Sequence, residues 1–385
     1  MIHSIHSIPK PSFFAVCPFD VLILIFKKYC SLNVSLTCKR FYAARLDLLS
    51  QGLNLALKQP PLLCLSTPNK INVMALSSRY LISDGFRSFK YFMRSTRTEA
   101  AENTLEPNFP AHKIVVFNDD FQFLASTTTY TLQKNEMGLD IKIHQNCLSH
   151  QKGYIAQNRS MVVYENTMNH SALKSLCFQS VHQPQLVQSI HVKNFSDIFV
   201  FTTGVVVVDA SKQTLSRYNL IGQRFCEDTV YQYSRLFTKV GLYLIALAYK
   251  EGFATLYTQY FTSLSEITVS ASSKSEKHYI SLEWKGHWIY INDKGVIHLY
   301  DVFLNRLRLL QSMRLEKSSG IRKAHIAGDY LFLNIDGGTE IWNLALGSFI
   351  KKIPQKFDLI EGDEHQIFTS IGKQIFVYEP RNHST

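Results

Sequence analysis

From residue 59 onward the chain is a succession of short apolar runs separated by Gly, Asn, Asp and Pro. The unit is a strand, a tight turn, a second strand, another turn, and a third strand that ends in an aromatic or aliphatic residue followed by a polar one. The clearest copy runs through Ala324–Asp329, Tyr330–Ile335, the turn Asp336-Gly337-Gly338 and Thr339–Asn343. The copy before it has Ile280–Trp284, Trp288–Ile291, the turn Asn292–Gly295 and Val296–Asp301. The last has Gln366–Thr369, Ile371-Gly372 and Gln374–Glu379. Looser copies place third strands on Tyr130–Leu132, Val162–Glu165, Val206–Asp209 and Thr255–Tyr257, and a weak first copy leads from Arg79–Gly85 to Phe89–Phe92. Short strands with turn signals that recur at roughly 30–50 residues predict a β-propeller. Eight copies can be counted, and seven or eight blades are both open. The last copy lacks a fourth strand after Pro380, and Leu62-Leu63-Cys64-Leu65 is the strand expected to complete it. Pairing strands from the two chain ends would leave no exposed edge.

The N-terminal part has a different pattern. Residues 19–29 predict a helix entered through Pro18, because a helix start does not use the missing N–H. Val21 to Phe26 are consecutive apolar residues, so the helix is apolar all round and needs cover on more than one side. A second helix is predicted over about 34–49, with Val34, Cys38, Phe41 and Leu48 near helical spacing. Gln59-Pro60-Pro61 ends the helical part. The expected organisation is a tail over 1–16, a helical module over 17–58 and a β-propeller over 59–385. Arg94 to Pro110 and Ser270 to Lys277 are expected to be polar loops.

The helical module resembles the F-box. That pattern opens with Leu-Pro and an acidic residue and closes with Val-Cys-Lys-Arg and an aromatic. Here the opening is Cys17-Pro18-Phe19-Asp20, the apolar run ends Ile25-Phe26, and the close is Thr37-Cys38-Lys39-Arg40-Phe41-Tyr42. Cys17 and Thr37 stand where aliphatics are usual, and the shorter spacing implies a tight link near Cys30 to Asn33. The resemblance implies docking onto a Skp-type adaptor of a cullin–RING ubiquitin ligase through Pro18, Leu22, Ile25, Phe26, Leu36, Cys38 and Phe41. The propeller would then present a protein substrate, without catalysis or cofactor. The dipeptides Trp342-Asn343, Tyr300-Asp301, Val208-Asp209 and Tyr378-Glu379 resemble the WD dipeptide of WD repeats. The alternative is a non-catalytic propeller scaffold whose helices cap the β domain. An F-box joined to a propeller is a eukaryotic arrangement, and a bacterium delivering proteins into host cells could also carry one.

Composition narrows the choice. Apolar content of 46% is that of a globular protein. The net charge of +11 is spread along the chain, with +5 in residues 1–58, and no dense basic cluster of the nucleic-acid-binding kind occurs. It favours acidic or phosphorylated partners. Lys27-Lys28 follows the apolar run, the reverse of a signal peptide, and no run is long enough for a membrane span. Seven cysteines without a CxxC pattern fit reduced thiols in cytoplasm or nucleus, or host cytoplasm for a delivered protein. No GxSxG, HExxH or P-loop is present, the histidines are scattered, and His298 and His325 fall on predicted strands as packing residues. Substrate-contacting residues cannot be named from the sequence.

Overall fold

A computed structural model describes residues 52–380 apart from several connections between strands. The residues named for adaptor docking, the 1–16 tail and most of the 17–58 module lie outside the described residues, as do 95–112 and 270–278 of the two predicted loops.

The described chain is mainly β, folded into eight antiparallel sheets in chain order. Blade 1 has three described strands, Met74–Leu76, Tyr80–Asp84 and Phe89–Met93. Blade 2 spans Lys113–Phe117 to Gly138–Gln145, and blade 3 spans Ile155–Gln157 to Val187–Val192. Blade 4 has Asp197–Phe201, Gly204–Asp209, Thr214–Tyr218 and Arg224–Thr229; blade 5 has Arg235–Val240, Tyr243–Ala248, Phe253–Thr258 and Ser263–Thr268. Blade 6 has Ile280–Trp284, His287–Ile291, Val296–Phe303 and Arg306–Arg314; blade 7 has Lys323–Ala327, Tyr330–Ile335, Gly338–Asn343 and Ser348–Ile353. Blade 8 has Leu359–Gly362, Ile367–Ile371 and Gln374–Tyr378, with Leu62–Ser66 as its fourth strand.

The strand closing blade 8 is the one expected. Leu62 lies opposite Val377, Leu65 opposite Ile375 and Ser66 opposite Gln374, with a bulge between Leu63 and Leu65. Beyond it the amides of Thr67 and Ile71 donate to the carbonyls of Lys373 and Gly372. The first strands of blades 1 and 2, 3 and 4, 5 and 6, and 7 and 8 lie side by side, and so do those of blades 8 and 1. One cluster unites Phe368, Ile375 and Val377 of blade 8 with Leu65, Ile71 and Met74. Both chain ends therefore hold the junction that closes the ring.

Two strand assignments need correcting. Val162–Glu165 and Val206–Asp209 belong to the second strands of blades 3 and 4, not the third. In blade 4 the second strand is buried at every position, while the third, Thr214–Tyr218, carries Ser216 and Arg217. A blade is covered on both faces by its neighbours. Its inner strands therefore lose the alternation that marks a half-exposed sheet. The most apolar run in a copy then need not be its third strand.

Residues 52–58 are helical and pack on blades 7 and 8. Leu53 and Leu57, one helical turn apart, are buried with Ala56 against Phe332, Phe357, Ile367 and Tyr378. Asn343 of blade 7 donates through Nδ2 to Asn54 Oδ1 at 3.1 Å, and Lys351 Nζ donates to the Gln59 carbonyl at 3.1 Å. The last turns of the N-terminal module are thus part of the propeller core. No helix among the described residues is long and apolar enough to cross a membrane.

Candidate interaction face

Antiparallel strands bring the first-to-second and third-to-fourth turns of every blade to one end of the ring, here called the turn face. The second-to-third turns lie on the opposite face. There lie the pairs Lys70–Asp358 (3.6 Å), with Asp358 partly covered, and Arg322–Asp336 (2.9 Å), exposed to water.

Side-chain bonds stitch neighbouring blades together along the turn face. Lys285, in a two-residue turn of blade 6, places Nζ 2.7 Å from Asp329 of blade 7 and 2.8 Å from Glu364 of blade 8. Burial works against the Lys285 charge, but the two carboxylates outweigh it and raise its pKa. Lys285 in turn holds the Glu364 carboxyl below its ordinary range. Arg94, which follows the third strand of blade 1, reaches across the closure, with Nη2 2.6 Å from Asp363 and Nε donating to Gln366 at 2.8 Å. Burial alone would push the Asp363 pKa up; the amides of His365 and Gln366 and the Arg94 guanidinium bring it below the ordinary value. Gly328 allows blades 7 and 8 to approach here: a Cβ would lie 2.4 Å from the Asp363 carbonyl oxygen, and its φ is +56°. Trp284 Nε1 donates to the Gly328 carbonyl at 3.0 Å. The face has both signs of charge, paired across neighbouring blades.

Large apolar side chains stand exposed on this scaffold in four consecutive blades. At the turns these are Phe225 beside the last turn of blade 4, Leu242 and Tyr260 in blade 5, Phe303 and Leu304 in blade 6, and Leu346 in blade 7; Leu55, Leu63, Leu309, Leu310 and Phe349 are exposed as well. Leu304 is 79% exposed. With Asn305 it forms the two-residue turn closed by Phe303 opposite Arg306. Both residues are left-handed, with φ of 48° and 59°. Asn-Gly is the usual solution for such a turn, and a leucine there is strained. The Arg308 guanidinium lies over the Phe303 ring at 4.7 Å and its Nη2 donates to Asp301 at 3.0 Å. Tyr243 of blade 5 donates its hydroxyl to Asn305 Oδ1 at 2.9 Å, fixing the tip against its neighbour.

At the junction of blades 4 and 5, Arg217 is buried behind two exposed rings. Its guanidinium lies 4.1 Å from the Tyr260 ring centroid and 5.5 Å from that of Phe225, and the two centroids are 6.2 Å apart. Nη2 donates to Thr203 Oγ1 at 3.0 Å, and that hydroxyl donates onward to Gln259 Oε1 at 2.7 Å.

Sequence reasoning missed this face. Only the periodicity marking these turns as turns was available, and a turn's exposure depends on which blade lies beside it. The two histidines singled out lie on strands of blades 6 and 7. His298 lies between the Tyr290 and Tyr300 rings and places Nδ1 2.9 Å from Ser312 Oγ. Burial, then the charge of Lys323, lowers the pKa of His325 to about 4. Among the described residues no group of three or more His, Cys, Asp and Glu side chains is placed to hold a metal ion.

No family model matches the chain, and no curated protein matches it. Solved structures do. The computationally designed Ika8 protein aligns with a TM-score of 0.55 at 11% identity, covering 83% of this chain and 99% of its own. Sqt1 of Saccharomyces cerevisiae aligns with a TM-score of 0.55 at 12% identity, covering 82% of this chain and 97% of its own. At such identity the likeness concerns the fold alone, and with the ring of sheets it makes the chain a β-propeller.

Proposed function

We propose that the chain is a non-catalytic β-propeller scaffold that binds another protein across the turn face of blades 4 to 7. One observation carries this reading. Four consecutive blades expose Phe225, Leu242, Tyr260, Phe303, Leu304 and Leu346 at turns of the same face, on a frame tied by side-chain hydrogen bonds between blades 4, 5 and 6 and by ion pairs between blades 6, 7 and 8. Exposed apolar side chains held in a mixed-charge rim are the composition of a protein-binding patch. The test is a triple variant, Phe225→Ser, Leu242→Ser and Leu304→Ser, compared with wild type by proximity labelling in the source cells. The expected result is a variant that melts like wild type and loses a discrete set of neighbours. An unchanged set would remove the proposal.

A finer reading makes this scaffold the substrate receptor of a Skp–cullin–F-box type ligase. It rests on the F-box resemblance of residues 17–42 and on the buried helix 52–58, which would carry such a module on blades 7 and 8. Pro18, Leu22, Ile25, Phe26, Leu36, Cys38 and Phe41 would then contact the adaptor. Such a receptor works in the cytoplasm or nucleus and holds its substrate close to the ubiquitin-charged partner. Co-purification with a Skp-type adaptor that is lost in a folded Pro18→Ala, Leu22→Ala variant is the expected outcome. A folded wild type that does not bind the adaptor would leave the scaffold reading alone.

A further inference from the structure

We propose that Arg217 is the anchor of a peptide site on the turn face, and that its ligand is the carboxylate of an aspartate or glutamate beside an apolar residue in the bound protein. This rests on the scaffold reading and names the chemistry of the partner.

Arg217 is 3% exposed, yet no carboxylate among the described residues lies within ion-pair distance of it. By contrast, Arg94, Arg308 and Arg322 each have an aspartate. Its Nε is buried and makes no hydrogen bond. Only Nη2 is engaged, and its partners are neutral: Thr203 Oγ1 at 3.0 Å, with the Thr203 carbonyl and Gln259 Oε1 at 3.5 Å. A buried guanidinium without a counter-charge is costly, and a ligand carboxylate would offset that cost.

The geometry selects the ligand. The rings of Tyr260 and Phe225 lie against the guanidinium, so an anion must approach its edge. A planar carboxylate suits that edge and can take two N–H donors at once. Phe225 is 66% and Tyr260 50% exposed, which gives an apolar rim for a neighbouring leucine or aromatic of the ligand. Polyanions fit less well. The site offers one guanidinium, too little charge to hold a nucleic-acid backbone or an anionic bilayer.

The test is calorimetric titration of the full chain with three capped peptides that alternate Phe with Glu, with Gln, or with phosphoserine. The Glu peptide is expected to bind at least tenfold more tightly than the Gln peptide. Arg217→Met should abolish the difference, Arg217→Lys should keep part of it, and Phe225→Ala should weaken binding several-fold without loss of fold. Absence of binding by the Glu peptide, equal affinity for Glu and Gln, or an unchanged affinity in Arg217→Met would overturn the proposal. Binding by the phosphoserine peptide alone would overturn the choice of a carboxylate. Phe225→Ala keeps the test valid if Arg217→Met does not fold. Failure here with the partner set still lost in the triple turn variant would remove the carboxylate site and leave the scaffold standing.

Discussion

A leucine at φ +48° with 79% of its surface in water is poor local chemistry, and the hairpin that carries it does not need it. Replacing Leu304-Asn305 by Asn-Gly should stabilise the protein by about 1 kcal/mol, because Gly and Asn accept the left-handed conformation that costs a leucine. Chemical denaturation should show a higher midpoint at an unchanged slope. The same variant should bind the partner less well if the tip is retained for function. Two half-buried groups contribute to the acid response. His325 is held neutral down to about pH 4, while an unfolded chain protonates it near 6.5. Between those values the unfolded state binds the extra proton, so stability is expected to fall as pH drops through the window. His325→Gln should flatten that slope. Asp363 works lower: its folded pKa lies below 3.8, so its contribution is present above that value and lost beneath it. Arg94→Met should remove much of this acid limb in melts taken between pH 5 and 2. Leu304, Asp363 and Arg94 did not stand out for these roles in the sequence, and His325 was read there only as a packing residue on a strand. Leu304 sits in an ordinary apolar run, and the burial of His325 comes from its neighbours in the ring.

Two elements join the chain ends to the ring, and they were legible to different degrees. The closing strand was readable because blade 8 lacked a fourth strand and Leu62–Leu65 was the apolar run left over after the proline break. The helix over 52–58 falls at the end of the segment read as a separate module, and its Leu53 and Leu57 are buried in the blade 7–8 core. Leu57→Ala is expected to cost roughly 2–5 kcal/mol. Removal of residues 1–51 should leave a cooperative thermal transition, whereas removal of 1–58 should lower it sharply and removal of 1–66 should abolish it by opening blade 8. A propeller that tolerates loss of 1–58 without change would contradict the packing described. The second strands of blades 3 and 4 were misassigned for a physical reason already met: buried inner strands look alike. Polar residues such as Arg217 on a third strand, which break the pattern, are the ones with chemistry to explain.

Across the whole molecule the fold was legible and the site was not. Periodicity depends on local sequence, so eight copies could be counted, with seven or eight blades both open, and the described residues form eight sheets. A binding face is assembled from turns 17 to 43 residues apart, and its exposed residues differ from blade to blade. Hydroxyl-radical footprinting of the chain with and without its bound partner tests the central claim directly. Protection is expected at Phe225, Leu242, Tyr260, Phe303, Leu304 and Leu346, with unchanged reactivity at Lys294, Arg322 and Lys373 on the opposite side of the ring. Protection of the second set with the first still reactive would contradict the account and move the partner to the other face.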